Sequence, residues 1–197
     1  MVRKNGVAAI AADTLTTWGD GKESATYIAN SEKIIRIGDS YLGCTGPTAA
    51  KYALTDYFSG LKKPADLSGV EPIFRTWLKL HTALKESYFL RAEEEADDAF
   101  ESSRTDVVIA NAHGIFGVAA HRTVQEFLKF YAFGSGYQVA LGAIYAAYDD
   151  PERDAEALAR LGVEAAAEFD SGTGAPIQSF TVPLLPRRNE LDKQRRD

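Results

Sequence analysis

Six apolar residues in a row, Val7 to Ala12, four of them alanine, follow the dipeptide Asn5-Gly6. Successive side chains of a strand point to opposite faces, so a strand apolar at every position must be covered on both sides. The small side chains further require that whatever covers it comes close. Asn5-Gly6 suits a two-residue hairpin turn, because both residues tolerate positive φ. The chain therefore opens with a hairpin whose second strand lies inside a layered structure. The 197 residues, 45% of them hydrophobic, suffice for one such core.

The remaining pattern alternates strand pairs with helix pairs. Lys33 to Ile37, a Gly38-Asp39 turn and Tyr41 to Cys44 read as a second hairpin. Ala50, Ala53, Leu54, Tyr57 and Phe58 line one face of a helix stopped by Gly60, and Ile73, Trp77, Leu80, Leu84 and Tyr88 line a longer one. Val107 to Ala110 and Ile115 to Ala119 form a third hairpin, with Glu126 to Phe133 as a further strand. Two helices follow, through Val139, Ala140, Ala143, Ile144 and Ala147 and then Ala155, Leu158, Gly162, Ala165 and Phe169. The second is expected to start at Asp150 as N-cap with Pro151 at its first position. Ile177 to Val182 closes the chain as a last strand. The order ββ-αα-ββ-αα-β specifies an α+β fold with two sheets face to face and helices outside, a four-layer αββα sandwich over residues 1–186.

Charge narrows the partners. The net charge of -6 disfavours a general grip on nucleic acid. No apolar run approaches the ~20 residues that cross a bilayer. No basic stretch followed by an apolar one opens the chain, and the single cysteine, Cys44, forms no internal disulfide, so the expected location is cytoplasmic. Glu93, Glu94, Glu95, Asp97, Asp98 and Glu101 form an acidic run without a base, read as a solvated face rather than a multi-carboxylate metal site. Residues 187–197 carry five bases and three acids with only Leu191 as an apolar anchor, the composition of a frayed tail. His81 flanks the stripe of the long helix and reads as a boundary residue.

Common catalytic signatures are missing: no nucleophile elbow, no His-Glu-x-x-His pair and no phosphate-binding glycine loop. The residues themselves carry a resemblance. Val2 to Asp13 (VRKNGVAAIAAD), Lys33 in Ser31-Glu32-Lys33-Ile34, the loop from Gly43 to Ala49 (GCTGPTA), and Gly134-Ser135-Gly136 before a helix resemble, in order and spacing, the bacterial proteasome-type peptidases of the N-terminal nucleophile superfamily. The HslV-type subunits and the betaproteobacterial proteasome homologues are the similar members. The likeness spans nearly the whole chain and implies the same four-layer fold.

What the resemblance implies is a threonine-type endopeptidase subunit of a self-compartmentalising ring. An N-terminal threonine attacks the peptide carbonyl, and its own α-amine serves as base. Lys33 matches the lysine that favours the alkoxide, and Asp13 the aspartate that holds this lysine; an ordinary surface ion pair is the plainer alternative. Gly46 matches the backbone oxyanion donor in a loop that also reads as a simple strand-to-helix turn. Ser135 matches the serine beside the threonine amine and could equally cap the following helix. Glu168 aligns with an acidic position near the site. The backbone carbonyls of Ala167, Asp170 and Thr173 match a turn that binds a structural cation in relatives; no cofactor is required. The matching nucleophile falls four residues ahead of Met1, so the chain as written is expected to be inactive. Implied partners are copies of the chain in stacked rings, unfolded protein or peptide substrates, and an ATPase unfoldase. A non-catalytic ring-forming scaffold is the alternative, and a small-molecule amidase of the same superfamily the third.

Overall fold

The computed structural model describes residues 1–92 and 99–186. Asn5 (φ 49°) and Gly6 (φ 75°) make the expected turn between β1 (Val2–Lys4) and β2 (Val7–Ala12). A short second hairpin, β3 (Thr16–Trp18) and β4 (Gly21–Glu23), was not expected from the pattern. Then come β5 (Ile34–Ile37), β6 (Ser40–Cys44), α1 (Ala49–Ser59), α2 (Val70–Glu86), β7 (Val107–Asn111), β8 (Gly114–Val118), β9 (Val124–Phe127), α3 (Tyr137–Ala147), α4 (Ala155–Phe169) and β10 (Gln178–Pro183). The strands form an antiparallel sheet ordered β1-β2-β10, another ordered β5-β6-β7-β8-β9, and the separate pair β3-β4.

Three apolar clusters define the layers. Leu54 and Phe58 of α1 and Ile73, Trp77 and Leu80 of α2 pack on Leu42, Val107, Ile109, Phe116 and Val118 of the five-stranded sheet. Ile144 of α3 and Ala155, Leu158 and Ala159 of α4 pack on Val2 and Ala9 of the three-stranded sheet. Between the sheets lie Met1, Ala8, Ile10, Ile34, Ala110 and Ile115. The four-layer αββα sandwich is therefore present, and β2 shows why its sequence is apolar throughout. Ala8 and Ile10 face the other sheet, whereas Ala9 faces the helices, and all three are fully buried.

Three expectations need correction. The strand anticipated over 126–133 is split: β9 ends at Phe127, and the chain then crosses to the other sheet, where Val2 pairs with Phe130. Arg3 N donates to Lys129 O (2.6 Å) and Tyr131 N to Met1 O (3.1 Å), so residues 129–131 run along β1. The last helix is capped by Asp154, whose Oδ1 accepts from Ala157 N at 2.8 Å. Asp150 instead holds a turn, accepting from Glu152 N at 3.0 Å and Arg153 Nε at 3.2 Å. The long helix ends at Glu86, short of Tyr88, whose hydroxyl donates to Asp56. The acids Glu93 to Asp98 and the tail 187–197 lie outside the described residues. Among the described residues no helix is long and apolar enough to cross a membrane.

Candidate active site

Five segment ends converge on one side of the sandwich: the exit of β2, the entry to β5, the exit of β6, the entry to α3 and the turn after α4. They line a cavity of about 630 Å³ whose wall includes Asp13, Lys33, Gly46, Ser135 and Thr173. Every residue singled out for chemistry except Glu168 and the carbonyl turn's Ala167 and Asp170 is on that wall.

Asp13 leaves β2 only 8% exposed. Its Oδ1 accepts from Lys33 Nζ at 2.7 Å, and its Oδ2 accepts from the backbone amides of Leu15 and Gly174, both at 3.0 Å. A carboxylate held by two amides and an ammonium has its orientation fixed from three sides. The Lys33 side chain is 29% exposed, so its ammonium is pinned at one end of the cavity yet open to it. The plainer alternative, a surface ion pair, does not describe a carboxylate this deep.

The loop after β6 is tied to the neighbouring strand by Thr45 N donating to Asp106 O at 2.9 Å. Gly46 follows with φ 97°, and a Cβ there would sit 2.4 Å from Arg104 O. Only glycine fits, for backbone angle and for space. Among the described residues the Gly46 N–H has no hydrogen-bond acceptor, which leaves a donor on the cavity wall. Cys44, two residues earlier at the end of β6, also lines the cavity. Burial pushes its thiol pKa up, while the charges of Lys51 and Lys33 pull it back.

Ser135 does not cap α3, whose N-cap is Gly136 without a side-chain bond. Its Oγ donates to Asp170 Oδ2 at 2.6 Å, and Thr173 Oγ1 donates to the same oxygen at 2.6 Å. Ser135 first and Thr173 second hold the Asp170 carboxyl below its usual range, and the charge of Lys33 acts in the same direction. Sequence reasoning missed this carboxylate and pointed to Glu168, which is exposed on α4 and off the cavity. The available signal was Asp170-Ser171-Gly172-Thr173-Gly174 directly after a helix end, a turn sequence whose acid and hydroxyl sit three apart. As for the carbonyls of Ala167, Asp170 and Thr173, that of Asp170 already accepts from Thr173 N at 3.2 Å. Among the described residues no cluster of three or more His, Cys, Asp or Glu side chains could hold a metal ion.

Two hydrogen-bonded groups thus face one cavity: an aspartate-held ammonium and an aspartate-held hydroxyl, with a free backbone N–H beside them. An ammonium and an amide donor stabilise developing negative charge on oxygen, and a hydroxyl–carboxylate pair can relay a proton.

No family model matches the chain, nor does any curated protein. Among solved structures, it is similar to Thiobacillus denitrificans BPH, with 61% identity over 94% of this chain and 97% of that one and a TM-score of 0.90. The same protein in complex with epoxomicin matches at 61% identity, with equal coverage and a TM-score of 0.89. Eukaryotic HslV from Trypanosoma brucei shares the fold at 18% identity and a TM-score of 0.62, over 92% of this chain and 97% of that one. With three fifths of its residues shared across almost the whole of both chains, and a fold common to HslV, the protein belongs to the proteasome-type N-terminal nucleophile peptidases, beside the bacterial proteasome homologue of T. denitrificans.

Proposed function

We propose that this chain is a threonine-type endopeptidase subunit of a self-compartmentalising, cytoplasmic ring that cleaves unfolded proteins or peptides. The observation that carries the reading is the register of β1. Val2 faces Ala9 on one side and Phe130 on the other, both antiparallel. Continuing that register five steps back from Val2, to the residue four ahead of Met1, arrives opposite Thr14, next to Asp13, and opposite Ser135. Strand alternation puts that residue's side chain on the same face as Met1, which packs with Ile34 between the sheets and lines the same cavity as Lys33. A leading threonine there would have its hydroxyl toward Lys33 and its α-amine toward the Ser135–Asp170 pair.

The chemistry then follows from the groups at hand. The threonine Oγ attacks the peptide carbonyl while its proton passes to the α-amine through a water. Lys33 lowers the energy of the alkoxide, and Asp13 keeps the lysine aimed. The Gly46 N–H donates to the carbonyl oxygen as it becomes an oxyanion. Ser135 and Thr173, through Asp170, steady the proton on the amine. Carbonyls of Ala167, Asp170 and Thr173 would hold a structural cation behind that turn, and no cofactor takes part. Assembly into stacked rings, and an ATPase unfoldase feeding them, belong to the same reading. The intact Asp13–Lys33 pair favours an enzyme over a ring-forming scaffold, which has no use for an ammonium held open to a cavity.

The test is a chain led by a processed threonine four residues ahead of Met1. It is expected to hydrolyse fluorogenic peptides and to be blocked by epoxomicin, the compound bound by the T. denitrificans protein. The chain beginning at Met1 should be inactive, and Lys33→Ala should abolish turnover while light scattering still reports rings. Near-full activity of Lys33→Ala in assembled rings would overturn the assignment.

A further inference from the structure

Between β4 and β5, residues 24–32 form no strand or helix, and they end at Lys33. Among the described residues, the hydrogen bonds that tie 24–32 to the rest of the fold all go to two neighbours on α1. Lys51 Nζ donates to Asn30 O and, at 2.9 Å, to Glu32 O. Asn30 Nδ2 donates to Tyr52 OH. The Lys51 ammonium also lies 5.0 Å from the centre of the Tyr52 ring, a cation–π distance. The remaining backbone bonds of the segment, from Tyr27 and Ile28 to Ser24 O, are internal to it.

Lys51 sits in the first turn of α1, with no acidic residue beside it. A cation there opposes the helix dipole. The position is electrostatically poor for the helix, yet it allows one ammonium to hold two carbonyls that flank residue 31 and stop one residue short of Lys33. Three residues before α1 begins stands Gly46, which supplies the free N–H. Lys51 therefore spans the two arms of the site, the lysine-bearing loop and the loop of the amide donor.

We propose that Lys51 is a positioning residue for this reaction: by clamping the carbonyls of Asn30 and Glu32 to the head of α1, it fixes where Lys33 enters the cavity relative to Gly46. This rests on the peptidase reading above. The loop path then depends on a charge-assisted bond pair, and Lys33 reaches Asp13 only from that path. Its ammonium need not touch substrate to matter, because misplacing a charge-stabilising group by 1 Å costs up to ~100-fold in rate.

The test compares Lys51→Met and Lys51→Arg in the threonine-led, ring-assembled protein. Lys51→Met is expected to lower kcat by about tenfold or more with KM little changed, and to move the pH profile of kcat, since Lys33 would no longer be held against Asp13. Lys51→Arg, whose guanidinium can donate to both carbonyls, should restore most of the rate. A crystal structure of Lys51→Met should show 30–33 displaced and Lys33 Nζ away from Asp13. An unchanged kcat and pH profile would overturn the proposal, whether or not melting temperature falls, and so would an unchanged path of 30–33. If the threonine-led wild type has no activity, the peptidase reading fails by itself. The crystal structure still decides the clamp: a displaced loop upholds it, and an undisturbed one removes it.

Discussion

Two lysine–carboxylate pairs in this molecule use the same chemistry in different settings. Lys33 and Asp13 meet at 2.7 Å at the cavity, with Asp13 also accepting two backbone amides. Lys85 and Glu101 meet on the outer layer, where Glu101 also accepts from His81 Nε2 at 3.0 Å. A carboxylate only accepts, so His81 carries its proton on Nε2, and its buried Nδ1 has no partner among the described residues. Glu101 is held by side chains alone; Asp13 is held by the backbone of two separate segments. A pair that side chains make can dissolve and re-form, whereas a pair built into the backbone cannot be removed without leaving donors orphaned. The position of a charge, more than the strength of its ion pair, separates a site from a surface.

Asp13→Ala is the sharpest way to break that contrast. It leaves Lys33 uncompensated and strips the Leu15 and Gly174 amides of their acceptor, which should destabilise the fold by about 3 kcal/mol in urea unfolding. A loss no larger than that of Glu101→Gln would make the two pairs equivalent. Gly46→Ala comes next. It places a Cβ where Arg104 O already stands, at a φ that disfavours side chains, and should cost about 2 kcal/mol. An unchanged midpoint would mean that the loop has slack, contrary to a site held in backbone.

A third measurement turns on pH. The Asp170 carboxyl is held below its ordinary range by Ser135 and then Thr173. A carboxylate with a depressed folded pKa favours the folded state above its unfolded pKa, and that contribution is lost as pH falls through the folded value. The melting temperature of the wild type should therefore drop more steeply on acidification than that of Asp170→Asn, with the two curves converging below the carboxylate range. Parallel curves would show that the hydroxyls do not single out the charged form.

The same contrast explains what the sequence discloses. Val7 to Ala12 declares its layer because burial on both faces leaves no polar position, and Asn5-Gly6 declares its turn because few residues accept both angles. Asp13, Lys33, Gly46 and Ser135 are legible through the family pattern, each fixed by a short run around it. Elsewhere local pattern was insufficient. Residues 126–133 read as one strand because alternation does not say which sheet a residue joins. Asp150 and Asp154 are both fit to cap a helix, and only the packing of α4 on β2 selects the second. β3–β4 carries its own signal in Thr16, Thr17 and Trp18 before Gly19-Asp20, too short to stand out. Asp170 was hidden because its partners, Ser135 and Thr173, come together only in the fold.

Glu101→Gln is the mildest of these changes and the one that fixes the baseline. Its carboxyl lies below its usual range, first through Lys85 and then through His81, yet its side chain is still 34% exposed. Water and salt screen such a pair, and ordering two long side chains offsets most of what the contact contributes. The amide retains an oxygen that can accept from His81 Nε2, so the buried ring keeps its partner. The urea midpoint should therefore stay within error of wild type, and any small difference should vanish in high salt. A clear, salt-insensitive loss would show that Glu101 is holding the buried His81 ring in place from outside. The outer pair would then be structural in the same sense as Asp13, and the contrast between the two pairs would reduce to which one borders the cavity.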